Sequence, residues 1–287
     1  MAPTVPQLRT LLAVVDTGSF TAAAQQLSVS QSAVSRTLRA LEEDIGGLLL
    51  DRERANAPTA LAVEVLPHAR AAVAALEALS GSLRARSGVP EGRIRLGSVP
   101  TVMQGLLPGL LSVWQTRLPK VEVSLFEGDD EEIPEWLETG VVDAAIVVDP
   151  HTDPPGSLLV GEDEHRAIVR RDHPYAGEKS IPLEELLEDG LITSTGGCET
   201  QVRRIHRIAG VPFKSRQQVR ELATLITMVH EGMGVAIMPS LGEGLLPPSL
   251  RMVRLEPTVG RRLVLTGPRT RAWSPLTEAL LRALRTD

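Results

Sequence analysis

The stretch from Leu27 to Gly46, LSVSQSAVSRTLRALEEDIG, admits few folds. At roughly 100° per residue, Val34, Leu38, Leu41 and Ile45 fall within about 60° of one another, a stripe that docks one helix on a core. Gln31, Ser32, Ser35, Arg36 and Arg39 occupy a separate arc of about 140°, all with hydrogen-bonding side chains. Ser30, or alternatively Ser28, is placed to cap the first turn, and Gly46 supplies a left-handed stop. Upstream, Leu8, Leu11, Leu12 and Val15 predict an amphipathic helix ended by Gly18. Ser19 then opens a short helix carrying Phe20, Ala23, Ala24 and Leu27. A short Ala-rich helix, a tight turn and a third helix with a polar N-terminal arc is the pattern of a helix-turn-helix, whose recognition helix enters the DNA major groove. Periodicity alone leaves open a plain three-helix bundle with a solvated polar arc.

The run GSFTAAAQQLSVSQSAVSRTLRALEEDIG, followed by LLLDR, resembles the amino-terminal domain of the LysR-type bacterial transcriptional regulators, and the resemblance continues along the whole chain. It implies that Gln31, Ser32, Ser35 and Arg36 read bases and that Arg39 and Arg52 touch phosphates. It also implies that residues near Asp51 to Pro58, Arg54 among them, form a wing. In the wing the chain departs from the family. LLLDRERANAPTALA is one residue short, with Pro58 and Ala62 at the usual Leu and Gly.

Charge constrains how such a head would bind. Residues 1–58 carry five arginines against six acids and the whole chain has a net charge of −6, so affinity has to come from charge placement and dimer avidity. Only seven residues are aromatic, which argues against a base-stacking platform for single strands or RNA. One cysteine, Cys198, no apolar run of membrane-spanning length and no signal-peptide pattern predict a cytoplasmic protein without internal disulfides or membrane contact.

From Thr59 to Arg86, apolar residues at Leu61, Val65, Leu66, Ala69, Val73, Leu76, Leu79 and Leu83 predict a long helix with Pro67 early in it. The seam can pack on its own domain or on a partner; similarity to the family favours a dimerising linker. Gly88, Pro90 and Gly92 mark the boundary. Beyond it, strands at Arg93–Gly97, Val121–Leu125 and Ala144–Val148 alternate with helices, the pattern of a parallel sheet. A second series follows: strands at Ala167–Arg170, Leu191–Thr193 and Val235–Met238, and helices at Leu183–Leu187, Glu199–Ala209 and Glu221–Glu231. The resemblance implies that the strand at Leu263–Thr266 and a helix at Pro275–Leu284 return to the first series.

The expected fold is therefore α/β. It comprises a winged helix-turn-helix (1–58), a linker helix (59–90) and a two-lobed, periplasmic-binding-protein-like effector domain (91–287). Lobe I is drawn at about 91–161 and 267–287, and lobe II at about 162–266. Ligands of open parallel sheets bind at strand carboxyl ends, where helix N-termini present free amides. The loops Gly97–Thr101 and Thr193–Thr200 fit that placement, or are ordinary caps. With the resemblance, Ser98, Thr101, Gly128, Asp149, Cys198, Glu199 and Thr224 become candidate effector contacts. Helix N-termini favour an anion, pointing to an organic acid or, with Glu199 pairing an ammonium, an amino acid.

The resemblance predicts a regulator acting as a homodimer or homotetramer on a double-stranded DNA operator, with RNA polymerase a further partner. Alternatives are thiol-based redox sensing through Cys198, which would need an intersubunit or small-thiol bridge, and a solute-binding module without DNA regulation. No enzyme, cofactor or metal site is expected. The six histidines lack metal-ligand spacing, and neither a Gly-x-Ser-x-Gly elbow nor a phosphate-binding Gly-Lys loop occurs. Gly232-x-Gly234 follows a helix, the wrong order for a dinucleotide turn. The acidic run Glu127, Asp129, Asp130, Glu131 and Glu132 reads as a solvated loop and helix N-terminus, and Arg203, Arg204 and Arg207 as solvent or subunit contacts.

Overall fold

The structure, a computed structural model, describes residues 2–51, 54, 56–85, 89–196 and 199–285. Two compact units are present: Met1–Val89 with the segments Glu138–Val141 and Thr270–Pro275, and the remainder.

In the first unit α1 (Val5–Thr17) begins with a capping box in which the Thr4 amide donates to Gln7 Oε1 at 2.7 Å, and it ends at Gly18 with φ 63°. Ser19 caps α2 (Phe20–Leu27) through the Ala22 amide. Ser30, not Ser28, caps α3 (Gln31–Ile45), its hydroxyl accepting from the Ala33 amide at 3.2 Å. Ser28 instead terminates α2 at φ 55°. Val34, Leu38 and Leu41 are at most 1% exposed and pack with Leu11, Val14, Ala23 and Ala24; each such burial is worth about 1.5–3 kcal/mol. β1 (Leu50–Asp51) and β2 (Ala57–Pro58) pair antiparallel. Glu42, which sequence periodicity leaves as one more acid on α3, is buried and accepts from the Leu49 amide at 2.9 Å, tying this hairpin to the helix.

α4 (Ala60–Ala85) carries Pro67 inside it. Its first half packs inside its own unit: Leu61, Val65 and Leu66 flank the α1–α3 core, Ala69 and Val73 cluster with Leu12, and Arg70 ion-pairs with Asp16. Val63, Leu76 and Leu79 are exposed.

The second unit contains two sheets that share one strand. The first has the order β4 (Val121–Glu127), β3 (Gly92–Ser98), β5 (Ala144–Val148), β12 (Gly260–Thr266) and the start of β6 (Leu158–Arg170). β3 is parallel to β4 and β5, whereas β12 is antiparallel to its neighbours. Helices α5 (Pro100–Gly105), α6 (Leu107–Arg117), α7 (Glu132–Thr139) and α11 (Pro275–Leu284) connect or close it, with the buried Trp114 donating from Nε1 to the Leu280 carbonyl at 3.1 Å.

From His165 onward β6 pairs antiparallel with β10 (Val235–Pro239), which is parallel to β8 (Leu191–Ser194), itself parallel to β9 (Gln217–Val219). β11 (Leu250–Glu256) pairs with β6 and with β7 (Ser180–Pro182). Helices α8 (Leu183–Glu188), α9 (Glu199–Ala209) and α10 (Leu222–His230) complete this lobe.

Two expectations are corrected. The strand expected at Ala167–Arg170 begins at Leu158, because the charged run Gly161–Arg166 is held in the ladder by ion pairs rather than looped into water. The lobe II span 162–266 also includes Gly260–Thr266, which pairs with β5 and so belongs to the lobe I sheet.

The lobes touch closely beside β6. α5 packs on the turn Ser240–Leu245, where a Cβ at Gly105 would collide with the Leu241 carbonyl oxygen. The Leu241 amide donates to Asp163 on β6 at 3.1 Å.

Candidate functional site

The first candidate surface is the free face of α3. Gln31, Ser32, Arg36 and Arg39 are exposed and Ser35 is half-buried at the rim, while the opposite stripe is in the core. The Ser30 and Ser32 hydroxyls lie 3.0 Å apart. Neither Arg36 nor Arg39 forms an ion pair among the described residues, so both guanidiniums are available to an anionic partner. Arg54 stands between β1 and β2, highly exposed and 3.8 Å from Asp51. Arg52 lies outside the described residues. Because Glu42 joins α3 to the hairpin, helix face and wing are positioned by one core.

The second is a cavity of about 310 Å³ between the lobes of the second unit. Lobe I contributes Val99–Thr101 and Gln104 from the start of α5, and Glu127–Asp130 with Glu132 from the loop between β4 and α7. Ser194, Gly196 and Arg220–Ala223 line it from lobe II, at the carboxyl ends of β8 and β9 and the N-terminus of α10. Arg261 forms part of the floor. Its guanidinium donates to Thr101 Oγ1 at 2.9 Å and, through Nε and Nη2, to both Asp163 oxygens. Both side chains of this pair are 4% exposed, so Arg261 is already neutralised. The Ser194 hydroxyl donates to the Arg220 carbonyl at 2.9 Å. A Cβ at Gly196 would come within 2.6 Å of that carbonyl, so the close approach needs glycine.

On the acidic loop, Asp129 accepts from the amides of Glu131 and Glu132, and Glu132 accepts from the Asp129 amide at 3.0 Å, a reciprocal cap for α7. Asp130 is left over. It accepts no hydrogen bond and forms no ion pair among the described residues, and burial lifts its carboxyl to about 6 against the pull of Arg261. Behind Arg261, His165 is 1% exposed with Nε2 unpartnered, and burial with the Arg261 charge lowers it to about 4.

Of the residues singled out from sequence, Thr101 and Gly128 line the cavity. Ser98, Asp149, Glu199 and Thr224 are not among the described lining residues. Ser98 is fully buried, donating to the Ile146 carbonyl at 2.9 Å. Asp149, at φ 42°, accepts from the Arg262 amide and from Arg204. Glu199 is taken by Arg203 one turn on, and Thr224 is exposed on α10. Cys198 lies outside the described residues. The acidic run caps α7 as expected, but it also walls the cavity instead of facing only solvent; its position after the carboxyl end of β4 was the available signal. Nothing local marks Arg220 or Arg261.

Among the described residues no cluster of His, Cys, Asp or Glu could hold a metal, and no helix is long and apolar enough to cross a membrane.

Comparison with known proteins adds the following. Residues 5–62 match the family described as bacterial regulatory helix-turn-helix protein, lysR family, and residues 87–287 match the LysR substrate binding domain. The chain is 31% identical over 92% of its length, and 92% of the other, to the uncharacterised HTH-type transcriptional regulator YvbU of Bacillus subtilis. In fold it is similar to full-length CbnR in complex with its target DNA, with a TM-score of 0.67 at 22% identity, covering 98% of this chain and 99% of that one. A full-length OxyR variant from Pseudomonas aeruginosa superposes with a TM-score of 0.72 at 21% identity, covering 99% and 98%.

Proposed function

Because the chain belongs to the LysR family of bacterial transcriptional regulators, we propose that α3 reads a double-stranded operator, that α4 dimerises the protein, and that a small molecule in the inter-lobe cavity changes how the assembly sits on its promoter. In this reading residues 1–58 are the DNA head, 59–90 the linker and 91–287 the effector domain. Gln31, Ser32, Ser35 and Arg36 meet base edges, and Arg39, Arg52 and Arg54 meet phosphates. The carrying observation is the division of α3 into a buried stripe and an arc whose two arginines are unpaired among the described residues. CbnR, which shares this fold, is known in complex with its target DNA, and that supports the placement. The exposed Val63, Leu76 and Leu79 on α4 support dimerisation, with a tetramer as a pair of such dimers. The effector acts through unequal affinity for two assembly geometries, which alters head spacing and, through it, contact with RNA polymerase.

The test is operator affinity, using a duplex chosen from a randomised pool. Arg36→Ala should lose about 1–3 kcal/mol of binding free energy while the circular dichroism spectrum stays unchanged. Unaltered affinity removes Arg36 from the reading face, and failure to enrich any duplex retires the DNA-binding assignment.

A further inference from the structure

We infer that the inter-lobe cavity is built for a basic amino acid, its side-chain ammonium or guanidinium against the Glu127–Asp130 loop and its α-carboxylate against Arg220 and the N-terminus of α10. This rests on the reading of the cavity as the effector site and names the class of effector.

The two walls differ in charge: the lobe I loop carries only carboxylates, whereas the lobe II wall carries Arg220 together with Glu221. The lobe I loop presents Glu127, Asp129, Asp130 and Glu132. Asp129 and Glu132 are partly occupied as helix caps, but Asp130 is largely shielded from water without a partner among the described residues. A shielded carboxylate without a donor is unfavourable, and a ligand cation relieves it. On the lobe II wall Arg220 has no ion pair among the described residues. Beside it α10, nine residues long, begins at Leu222 and Ala223 with no side-chain cap from Glu221, so its first amides are free to meet a carboxylate.

Charge then decides between ligands. Five carboxylates line the cavity against two guanidiniums, and Arg261 is already held by Asp163. A dicarboxylate would add negative charge to this surplus, whereas a basic amino acid matches both walls and carries the net positive charge needed. A volume of about 310 Å³ lies at the small end of ligand pockets, suited to a single metabolite rather than a nucleotide. The organic acid expected from helix N-termini alone is thereby disfavoured, because the facing wall is acidic.

Calorimetric titration of the full chain at pH 7.5 with L-arginine, L-lysine, agmatine, cadaverine and 2-oxoglutarate tests the inference, with operator affinity measured separately. Arginine or lysine should bind. Asp130→Asn should weaken that binding at least about tenfold, the scale of one charge-assisted hydrogen bond. Arg220→Ala should weaken the amino acid but not its decarboxylated counterpart, agmatine or cadaverine, which serves as a control for folding. Preference for 2-oxoglutarate, binding of the decarboxylated amines alone, or no binding of either amino acid overturns the inference. Binding of arginine or lysine with no change in operator affinity leaves the ligand class standing and sinks the regulatory reading instead.

Discussion

Burial displaces Asp130 upward and His165 downward, while Arg261 pulls both down, and their effects on stability should nearly cancel. Burial raises Asp130 from 3.8 to about 6, opposed by Arg261 and reinforced by Asp129, Asp149 and Glu131. Burial and the Arg261 charge lower His165 from 6.5 to about 4, opposed by the Val259 carbonyl, Asp163 and Asp149. For Asp130 the folded state is the better proton binder, so its contribution is fully present below 3.8 and is lost as pH rises through about 6. For His165 the unfolded state takes the proton first, so the contribution is present above 6.5 and is lost as pH falls through about 4. At about 1.4 kcal/mol per pH unit each is worth about 3 kcal/mol, with opposite sign across pH 4–6. Urea unfolding of the ligand-free protein at several pH values should therefore show Asp130→Asn more stable than wild type by up to about 3 kcal/mol at pH 7.5, the gain vanishing by pH 4. His165→Gln should gain on wild type by a similar amount as pH falls from 6.5 to 4, whatever its packing penalty at neutral pH. A wild-type-minus-variant difference that stays flat with pH for Asp130→Asn would refute the assignment of a shielded, unpartnered carboxylate.

Other perturbations separate positioning from recognition. Asp163→Ala leaves Arg261 buried without its carboxylate and should destabilise the chain by about 3–5 kcal/mol in urea unfolding, whereas Asp163→Leu with Arg261→Met should recover most of that loss. Glu42→Ala orphans the buried Leu49 amide; a loss of about 1–3 kcal/mol in stability is expected, with weaker operator binding as the wing loosens, and unchanged operator affinity would separate wing from reading helix. If arginine binds as inferred, its affinity should rise with pH through about 6 as Asp130 ionises, with proton release visible as a buffer-dependent calorimetric enthalpy.

The elements legible in the sequence are those whose order is local. The stripe Val34, Leu38 and Leu41, the Ser30 cap and the Gly46 stop are all written within one helix, and α3 follows them residue by residue. Only Ala167–Arg170 of β6 is legible, because Glu162, Asp163 and Glu164 carry no local strand signal and Asp163 is satisfied by an arginine 98 residues away. The same distance hid the cavity. Thr101 and Gly128, candidates through the resemblance, lie where strands end and loops turn, whereas Arg220 and Arg261 acquire meaning only when a second strand set is folded beside the first. Ser98 shows the converse: the resemblance makes it a candidate ligand contact, but its hydroxyl donates to the carbonyl of its neighbour across the sheet, Ile146.

The close approach of Gly105 to the Leu241 carbonyl, beside the strand both sheets share, leaves no room for the two lobes to move closer there. Were the cleft to close over a ligand, this contact would block inward sliding at one side and favour a swing of the lobes about a line near β6. Displacement would then grow with distance from that line, so β4 and β9, at the two ends of the strand order, would move most relative to each other. A ligand held in the cavity would then act on the rest of the assembly as torque.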